Sequence, residues 1–200
     1  SNQIKSNQIK SNQIKSKQSN KMTFRPGKGE IMIVGSKADI CSLAASQKEY
    51  VSSENDVTGA ITCVSLGELS TLDFRGDNVI TCIDHLGETN EFKTGFQCRW
   101  LWNGNRTRPM SWHKEIERKM GKSIDKLYSL GVFFENGTST PDGNPFIGGT
   151  QDEGEKLIDT ALRELREEVG LSVKEGSNMY EVPTASQYKK IWMVDASNVC

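Results

Sequence analysis

The chain has 200 residues, a formal net charge of −1 and 35% hydrophobic residues. A chain of this size can bury one core, and its near-zero net charge excludes a uniformly basic nucleic-acid binder. Its longest apolar runs, such as residues 31–34, are about four residues long, far short of the ~20 that span a membrane. Five scattered cysteines, with no Cys-x-x-Cys pair and no secretory apolar region, predict reduced thiols and an intracellular, cytoplasmic location.

The N-terminal segment, residues 1–28, is expected to stand apart from the fold. The sequence SNQIK occurs there three times, at residues 1–5, 6–10 and 11–15. A five-residue period matches neither a helix nor a strand, and one isoleucine per repeat cannot form a core. We therefore expect a disordered basic tail followed by a domain over residues 29–200. The tail either contacts RNA or another polyanion or is a repeat expansion with no role.

Between the tail and residue 144 the pattern predicts mainly strands. Runs of β-branched and aromatic residues between turn signals predict strands over residues 31–35, 57–65, 79–84, 92–102 and 127–136. A helix is expected after Ser111, a possible N-cap, because Trp112, Ile116, Met120 and Ile124 form one apolar stripe. Residues 141–144, Pro-Asp-Gly-Asn, predict a turn.

Residues 99–114 interleave cations with large aromatic side chains. The members are Arg99, Trp100, Trp102, Arg106, Arg108, Trp112, His113 and Lys114. Aromatic faces stack nucleobases at roughly 1–3 kcal/mol each, and arginines hold phosphates. The candidate substrate-binding residues are therefore Trp100, Trp102, Arg106 and Arg108. The alternative is that the tryptophans pack in the core, as side chains of this size usually do.

The segment 149–171, GTQDEGEKLIDTALRELREEVGL, carries the strongest chemical signal. On a helix, Glu164, Glu167 and Glu168 lie at i, i+3 and i+4, so the three carboxylates share one face. Like charges at such offsets repel by roughly 0.2–0.5 kcal/mol per pair, which a purely structural helix has no reason to keep. A divalent cation would turn that repulsion into a binding site, because hard cations prefer oxygen ligands.

The same segment predicts where its helix packs and ends. One face is apolar; it comprises Leu157, Ile158, Ala161, Leu162, Leu165 and Val169. Arg163 stands four residues after Asp159 and four before Glu167, where it can hold the acidic face in register. Gly170 is expected to be a left-handed C-terminal cap.

The segment matches, at every specified position, the signature of the Nudix family, Gly-x5-Glu-x7-Arg-Glu-aliphatic-x-Glu-Glu-x-Gly-aliphatic. Residues 145–149, Pro-Phe-Ile-Gly-Gly, resemble the glycine-rich turn that leads into it. Nudix enzymes hydrolyse a nucleoside diphosphate linked to another moiety, using Mg2+ or Mn2+. The resemblance implies an α/β fold, an α-β-α sandwich with a mixed sheet. It also implies an insertion between an opening strand near Thr58 and the signature helix.

The resemblance further implies roles for individual residues. Glu164, Glu167 and Glu168 would be metal ligands together with the Gly148 carbonyl, and Glu155 would be either a further ligand or a support behind them. Arg163 would orient the carboxylates and complete the catalytic set. The partner would be a nucleotide-type small molecule, or capped RNA, since the layout is similar to that of viral mRNA-decapping Nudix enzymes. The alternative is a non-catalytic nucleotide- or RNA-binding module that retains the fold.

The C-terminal part is short for this family. Nudix domains usually continue for longer after the signature and often draw another carboxylate from that part. Here the acids that follow Glu175 are Glu181 and Asp195. Either the domain is compact and uses elements from its N-terminal half, or it is truncated at the C-terminus; we expect truncation.

Overall fold

The computed structural model describes residues 23–52, 57–72, 78–94, 101, 111–134 and 142–200. The strands are β1 (Lys28–Gly35), β2 (Tyr50–Ser52), β3 (Val57–Ser65), β4 (Val79–Ile83), β5 (Thr89–Lys93), β6 (Tyr128–Phe134), β7 (Asp142–Asn144), β8 (Ile147–Thr150), β9 (Tyr180–Val182) and β10 (Lys189–Asp195). The α-helices are α1 (Lys37–Ser46), α2 (Leu66–Leu69), α3 (Trp112–Met120) and α4 (Leu157–Val169). None of these helices is both long and apolar enough to cross a bilayer.

Strand β1 lies at the centre of a mixed sheet. It pairs in parallel with β10, antiparallel with β8 along its first half and antiparallel with β6 at its end. Its side chains alternate between two faces, so that Ile31 and Ile33 join one core cluster while Met32 and Val34 join the other. All four are fully buried, which stabilises the fold by roughly 1.5–3 kcal/mol for each side chain.

Helices cover both faces of this sheet. The cluster around Ile31 and Ile33 takes in α1 and the signature helix α4, whereas the cluster around Met32 contains apolar side chains of α2 and α3. The architecture is therefore an α-β-α sandwich with a mixed sheet, as the family resemblance implied. Because β1 stands between β8 and β10, the N-terminal half of the chain builds the sheet that carries α4.

Between β3 and β8 the chain adds the expected insertion. It contains α2, β4, β5, α3, β6 and β7. The pairings run from β3 through β4, β5, β7 and β6 and return to β3. The predicted strands at residues 31–35, 57–65 and 79–84 are confirmed within a few residues, as is the helix after Ser111, although the Ser111 side chain makes no capping hydrogen bond.

Two expectations for this region were wrong in part. Residues 142–144 form strand β7 rather than a turn, pairing with the end of β6. Gly143 makes this possible, because any β-carbon at that position would overlap the ring of Phe92. The strand expected over residues 92–102 is β5, which begins at Thr89 and ends at Lys93. Residues 95–100 and 102 lie outside the described part of the chain.

Candidate metal centre

The turn into the site depends on two glycines of β8. A β-carbon on Gly149 would overlap the carboxylate of Glu164, and one on Gly148 would overlap the Glu30 side chain and the Gly29 carbonyl. Neither glycine has a positive φ. Close approach rather than backbone conformation therefore requires glycine, since side chains carrying carboxylates lie directly against the β8 backbone.

Helix α4 presents the expected apolar face to the sheet. Ala161, Leu165 and Val169 are buried in the core cluster shared with β1. Gly170 ends the helix at φ 69° and donates its N–H to the Arg166 carbonyl, which confirms the predicted left-handed cap. The packed face fixes the rotation of the helix, and this rotation sets the direction of its acidic face.

Arg163 donates hydrogen bonds to three carboxylates at that acidic face and to one backbone carbonyl. Its guanidinium donates to both oxygens of Glu155 at 2.9 and 3.1 Å, to Glu164 Oε1 at 2.9 Å, to Glu167 Oε2 at 3.1 Å and to the Thr150 carbonyl at 3.0 Å. The predicted pairing with Glu167 is thus present, while Asp152, at 3.6 Å, stands in place of Asp159. The five-donor fork of arginine suits this role, because a lysine ammonium could not span as many fixed partners.

Glu155 is held inward by several donors. Besides the two bonds from Arg163, its Oε2 accepts from the Thr160 hydroxyl at 2.8 Å and from the Asp152 N–H at 3.1 Å. The hydrogen bonds from Arg163 are the main reason that the pKa of Glu155 falls to about 2. Three of these four bonds end on Oε2 and one on Oε1, and their donors come from both the loop and the helix, so Glu155 ties the loop to α4.

Glu164 and Glu168 form a crowded pair, in which Glu164 is buried and Glu168 is half-buried. Glu164 is only 5% exposed, and burial raises its pKa. Burial, followed by the neighbouring charge of Glu164, also raises the pKa of Glu168. The Tyr50 hydroxyl donates to Glu168 Oε1 at 3.3 Å, whereas the buried Glu168 Oε2 has no hydrogen-bond partner.

Two residues near this site, Tyr50 and Glu30, were not predicted from the sequence. Tyr50 extends from β2 and stacks on Phe134 with ring centroids 6.2 Å apart. Glu30 lies on β1 directly opposite Gly148 and is 6% exposed, with its buried Oε2 lacking a partner. Burial raises the pKa of Glu30 to about 8, although the charges of Lys28 and Lys189 lower it. A charged residue beside a fully apolar run was the available signal.

The carboxylates are not gathered around a single point in this arrangement. Within the described ranges, no three His, Cys, Asp or Glu side chains are placed to hold a metal ion together. Arg163 accounts for this, because it draws Glu155, Glu164 and Glu167 towards its own guanidinium. The residues nevertheless fit a hard divalent cation, since the buried Oε2 atom of Glu168 is an acceptor without a donor.

The other predicted site residues lie elsewhere. Trp100, Trp102, Arg106 and Arg108, the candidate substrate-binding residues, fall outside the described part of the chain. Trp112, which follows them in the sequence and begins α3, is 2% exposed and belongs to a core cluster. Core packing, the alternative for the tryptophans, therefore holds for this one.

Both C-terminal acids are engaged away from α4. Glu181 pairs with Lys190 at 2.8 Å on the edge of the sheet. Asp195 Oδ1 accepts from the N–H of Ser197 at 2.9 Å and so caps the short turn that follows β10. Neither carboxylate therefore adds to the acidic face.

The comparison with protein families agrees with this geometry. Residues 134–198 match the family model for the NUDIX domain, a stretch that includes β7, β8, α4, β9 and β10. No curated protein and no solved structure matched the chain. Nudix domains generally use a divalent cation such as Mg2+ or Mn2+, which the carboxylate chemistry of α4 suits. Residues 134–198 therefore contain a NUDIX domain, which indicates a hydrolase that acts on phosphoric anhydride bonds.

Proposed function

We propose that this chain is a metal-dependent pyrophosphohydrolase that cleaves a nucleoside diphosphate linked to another moiety, and that its metal centre lies on the acidic face of α4. The observation that carries the proposal is that the buried Glu164 lies beside the half-buried Glu168, whose buried Oε2 lacks any donor. Crowded carboxylates cost stability, and a divalent cation relieves that cost. A pure binding module would gain nothing from them.

Glu164, Glu167, Glu168 and the Gly148 carbonyl are the groups assigned to hold the cation. When bound, Mg2+ or Mn2+ neutralises phosphate oxygens and lowers the pKa of an attacking water. With a cation bound, Glu164 and Glu167 would give up their bonds from Arg163 Nη1, and this nitrogen would be available to pair with phosphate oxygens. Glu155 keeps its four accepted bonds and holds Arg163 beside the site.

The neighbouring groups keep the ligands in place. Tyr50 donates to Glu168 Oε1 and leaves the second oxygen of that carboxylate free. The packed residues Ala161, Leu165 and Val169 fix the helix against β1, so the acidic face does not rotate. Such support matters because a displacement of about 1 Å can cost on the order of a hundredfold in rate.

The moiety that is linked to the diphosphate in the substrate is to be identified by experiment. The full chain is incubated with Mg2+ or Mn2+ and a panel of capped RNA, ADP-ribose, diadenosine polyphosphates and nucleoside triphosphates. Capped RNA is included because residues 99–114 interleave tryptophans and arginines. We expect hydrolysis of at least one member of the panel. Nucleotide binding without any hydrolysis would favour the non-catalytic module instead.

A double variant, Glu167→Gln with Glu168→Gln, tests the assignment of the residues. We expect its turnover to fall by about a hundredfold or more, since two of the oxygen ligands lose their charge. The matched control is Glu115→Gln with Glu181→Gln, because both acids lie on the surface with side chains 43% and 52% exposed. The control should keep wild-type turnover. Wild-type turnover in the Glu167/Glu168 variant would reject the metal centre on α4.

A further inference from the structure

Glu30 carries a buried carboxylate on the face of the sheet opposite α4. The side chains of β1 alternate, so Glu30 shares its face with Met32 and Val34. Ile31 and Ile33 lie on the other face, which packs against the signature helix. Glu30 is 6% exposed, and its buried Oε2 has no hydrogen-bond partner among the described residues. Because an unpaired buried acid costs stability, a position that served packing alone would favour an apolar residue.

The neighbours of Glu30 across the sheet are apolar or lack a side chain. In the parallel ladder with β10 it stands opposite Ile191, which pairs in turn with Val182 of β9. Both are buried and belong to the apolar cluster of this face. On the other side, the partner of Glu30 is Gly148 of β8. These neighbouring side chains therefore offer no hydrogen-bond donor to the carboxylate.

The side chain of Glu30 leans towards β8. A β-carbon on Gly148 would overlap the Glu30 Cγ, so the Glu30 side chain crosses the space above Gly148. Among the described residues β8 pairs with β1 and with no other strand, which leaves the far edge of β8 unpaired. On the opposite face, a β-carbon on the next residue, Gly149, would overlap the Glu164 carboxylate. Glu30 and the acidic face of α4 thus lie on opposite faces of β8, over adjacent residues.

We propose that Glu30 binds the nucleobase of the substrate, by accepting a hydrogen bond from an N–H group of the base on the face opposite α4. The inference rests on the proposed function, because it places the nucleoside of the diphosphate substrate. With the diphosphate held at α4, the nucleoside passes the unpaired edge of β8 and reaches Glu30. A nucleobase suits this position, because it is a largely apolar ring whose edge carries N–H donors. Ligand sites commonly combine apolar walls with a few polar groups in this way.

Glu30 is therefore a specificity-determining residue for the base. Its carboxylate loses water on folding and gains no donor from the neighbouring side chains in exchange. A base that supplies the donor satisfies this group, whereas a ligand without a base leaves it unpaired. Binding should thus depend on Glu30 for nucleotides and not for a bare diphosphate.

The test is a calorimetric titration of the full chain, in the presence of Mn2+, with methylene-bridged analogues of ADP, GDP, CDP and UDP, in which the diphosphate resists hydrolysis. Methylene diphosphonate, which lacks a nucleoside, is the reference ligand. We expect the wild type to bind at least one nucleotide analogue about tenfold or more tightly than the reference. In Glu30→Met, which replaces the carboxylate by an unbranched apolar side chain, the affinity for that analogue should fall about tenfold or more, while the affinity for the reference stays unchanged.

Two further measurements control for folding. Glu30→Met should unfold at a Tm equal to or above that of the wild type, because an apolar side chain replaces an unpaired buried acid. Should it fold poorly, Glu30→Leu removes the same acceptor and carries the same expectation. The matched control is Glu181→Gln on β9, whose side chain is exposed and pairs with Lys190. It should bind every ligand as the wild type does.

Wild-type affinity for every analogue in a folded Glu30 variant would overturn the inference. An equal loss of affinity for the analogues and for methylene diphosphonate would overturn it as well, since Glu30 would then act on the metal centre or the fold. So would a wild type that binds no analogue more tightly than the reference.

Hydrolysis of the substrate panel tests the proposed function separately. Hydrolysis by the wild type, together with an unchanged preference for nucleotides in Glu30→Met, would leave the proposed function standing and remove the role of Glu30. Conversely, a preference that depends on Glu30 without any hydrolysis would support the base site and reject the hydrolase.

Discussion

Helices α3 and α4 are built alike but place their charges differently. Both pack one apolar face on the core and both end at a left-handed glycine, Gly121 at φ 67° and Gly170 at φ 69°. Each terminal glycine closes the helix by donating its N–H to a carbonyl of the last turn, that of Glu117 or Arg166. The rules that form and stop a helix are therefore the same in both.

The two helices differ in the surroundings of their acidic side chains. On α3, Glu115 pairs with Arg118 at 2.8 Å, and the side chains are 43% and 62% exposed. On α4, Glu164 is 5% exposed and lies against Glu168, whose Oε2 has no partner. The charges of α3 stay in water and contribute little. Glu164 of α4 is instead buried at a cost in stability, which agrees with our proposal that its placement serves a ligand.

The largest difference between α3 and α4 is expected when Gly149, which contacts Glu164 of α4, is replaced by alanine. A β-carbon there overlaps the tip of the Glu164 side chain, which can swing away at little cost in stability. The carboxylate then leaves its position, and we expect turnover to fall by about a hundredfold while urea unfolding changes little. Wild-type turnover in Gly149→Ala would contradict the assigned position of Glu164.

Gly121→Ala on α3 is the matched control, with the opposite expectation. Nothing lies within 4 Å of a β-carbon there, but the residue has φ 67°. Alanine at a positive φ should cost about 1 kcal/mol of unfolding free energy. Turnover should stay at the wild-type value.

A smaller difference is expected between the ion pairs of the two helices, in how their contribution to stability depends on pH. The pKa of Glu155 lies near 2, below its ordinary value of 4.5. A carboxyl with a lowered pKa stabilises the fold above its ordinary pKa, and this stabilisation is lost as the pH falls from 4.5 towards 2. We expect Glu155→Gln to lower Tm by roughly 2–4 °C at pH 7. The deficit should shrink steadily below pH 4.5 and be nearly absent at pH 2.

Glu115→Gln on α3 is the control for that experiment. Hydrogen bonding from Arg118 lowers the pKa of Glu115 as well, but both side chains are exposed to solvent, which screens the pair. Its Tm should follow the wild type at every pH. A deficit in Glu155→Gln that stayed constant with pH would show that the charge of Glu155 is not what holds the loop.

Features with a local cause could be predicted from the sequence. Helix α4 follows from the spacing of its apolar residues, and its end at Gly170 follows from the freedom of glycine at positive φ. The bond from Arg163 to Glu167 follows from the i, i+4 spacing. The central strand was visible in the apolar run of residues 31–34, because a strand buried on both faces has no polar alternation.

Features that depend on register and packing could not be predicted. Glu30 lies 118 residues before Gly148 in the chain, and the ladder between β1 and β8 alone places them opposite each other. Tyr50 reaches Glu168 across the same sequence separation. Residues 142–144 carry turn-forming residue types, yet they pair with β6 because Gly143 fits against Phe92. In each case a tertiary contact decides the role of a residue whose local pattern is uninformative or misleading.

The most direct measurement of the central claim is a calorimetric titration of Mn2+ into the folded wild-type chain and into its Glu167→Gln, Glu168→Gln variant. We expect saturable binding by the wild type and an affinity at least about tenfold weaker in the variant. Equal binding by the two proteins, or no binding by the wild type, would contradict a cation site on the acidic face of α4.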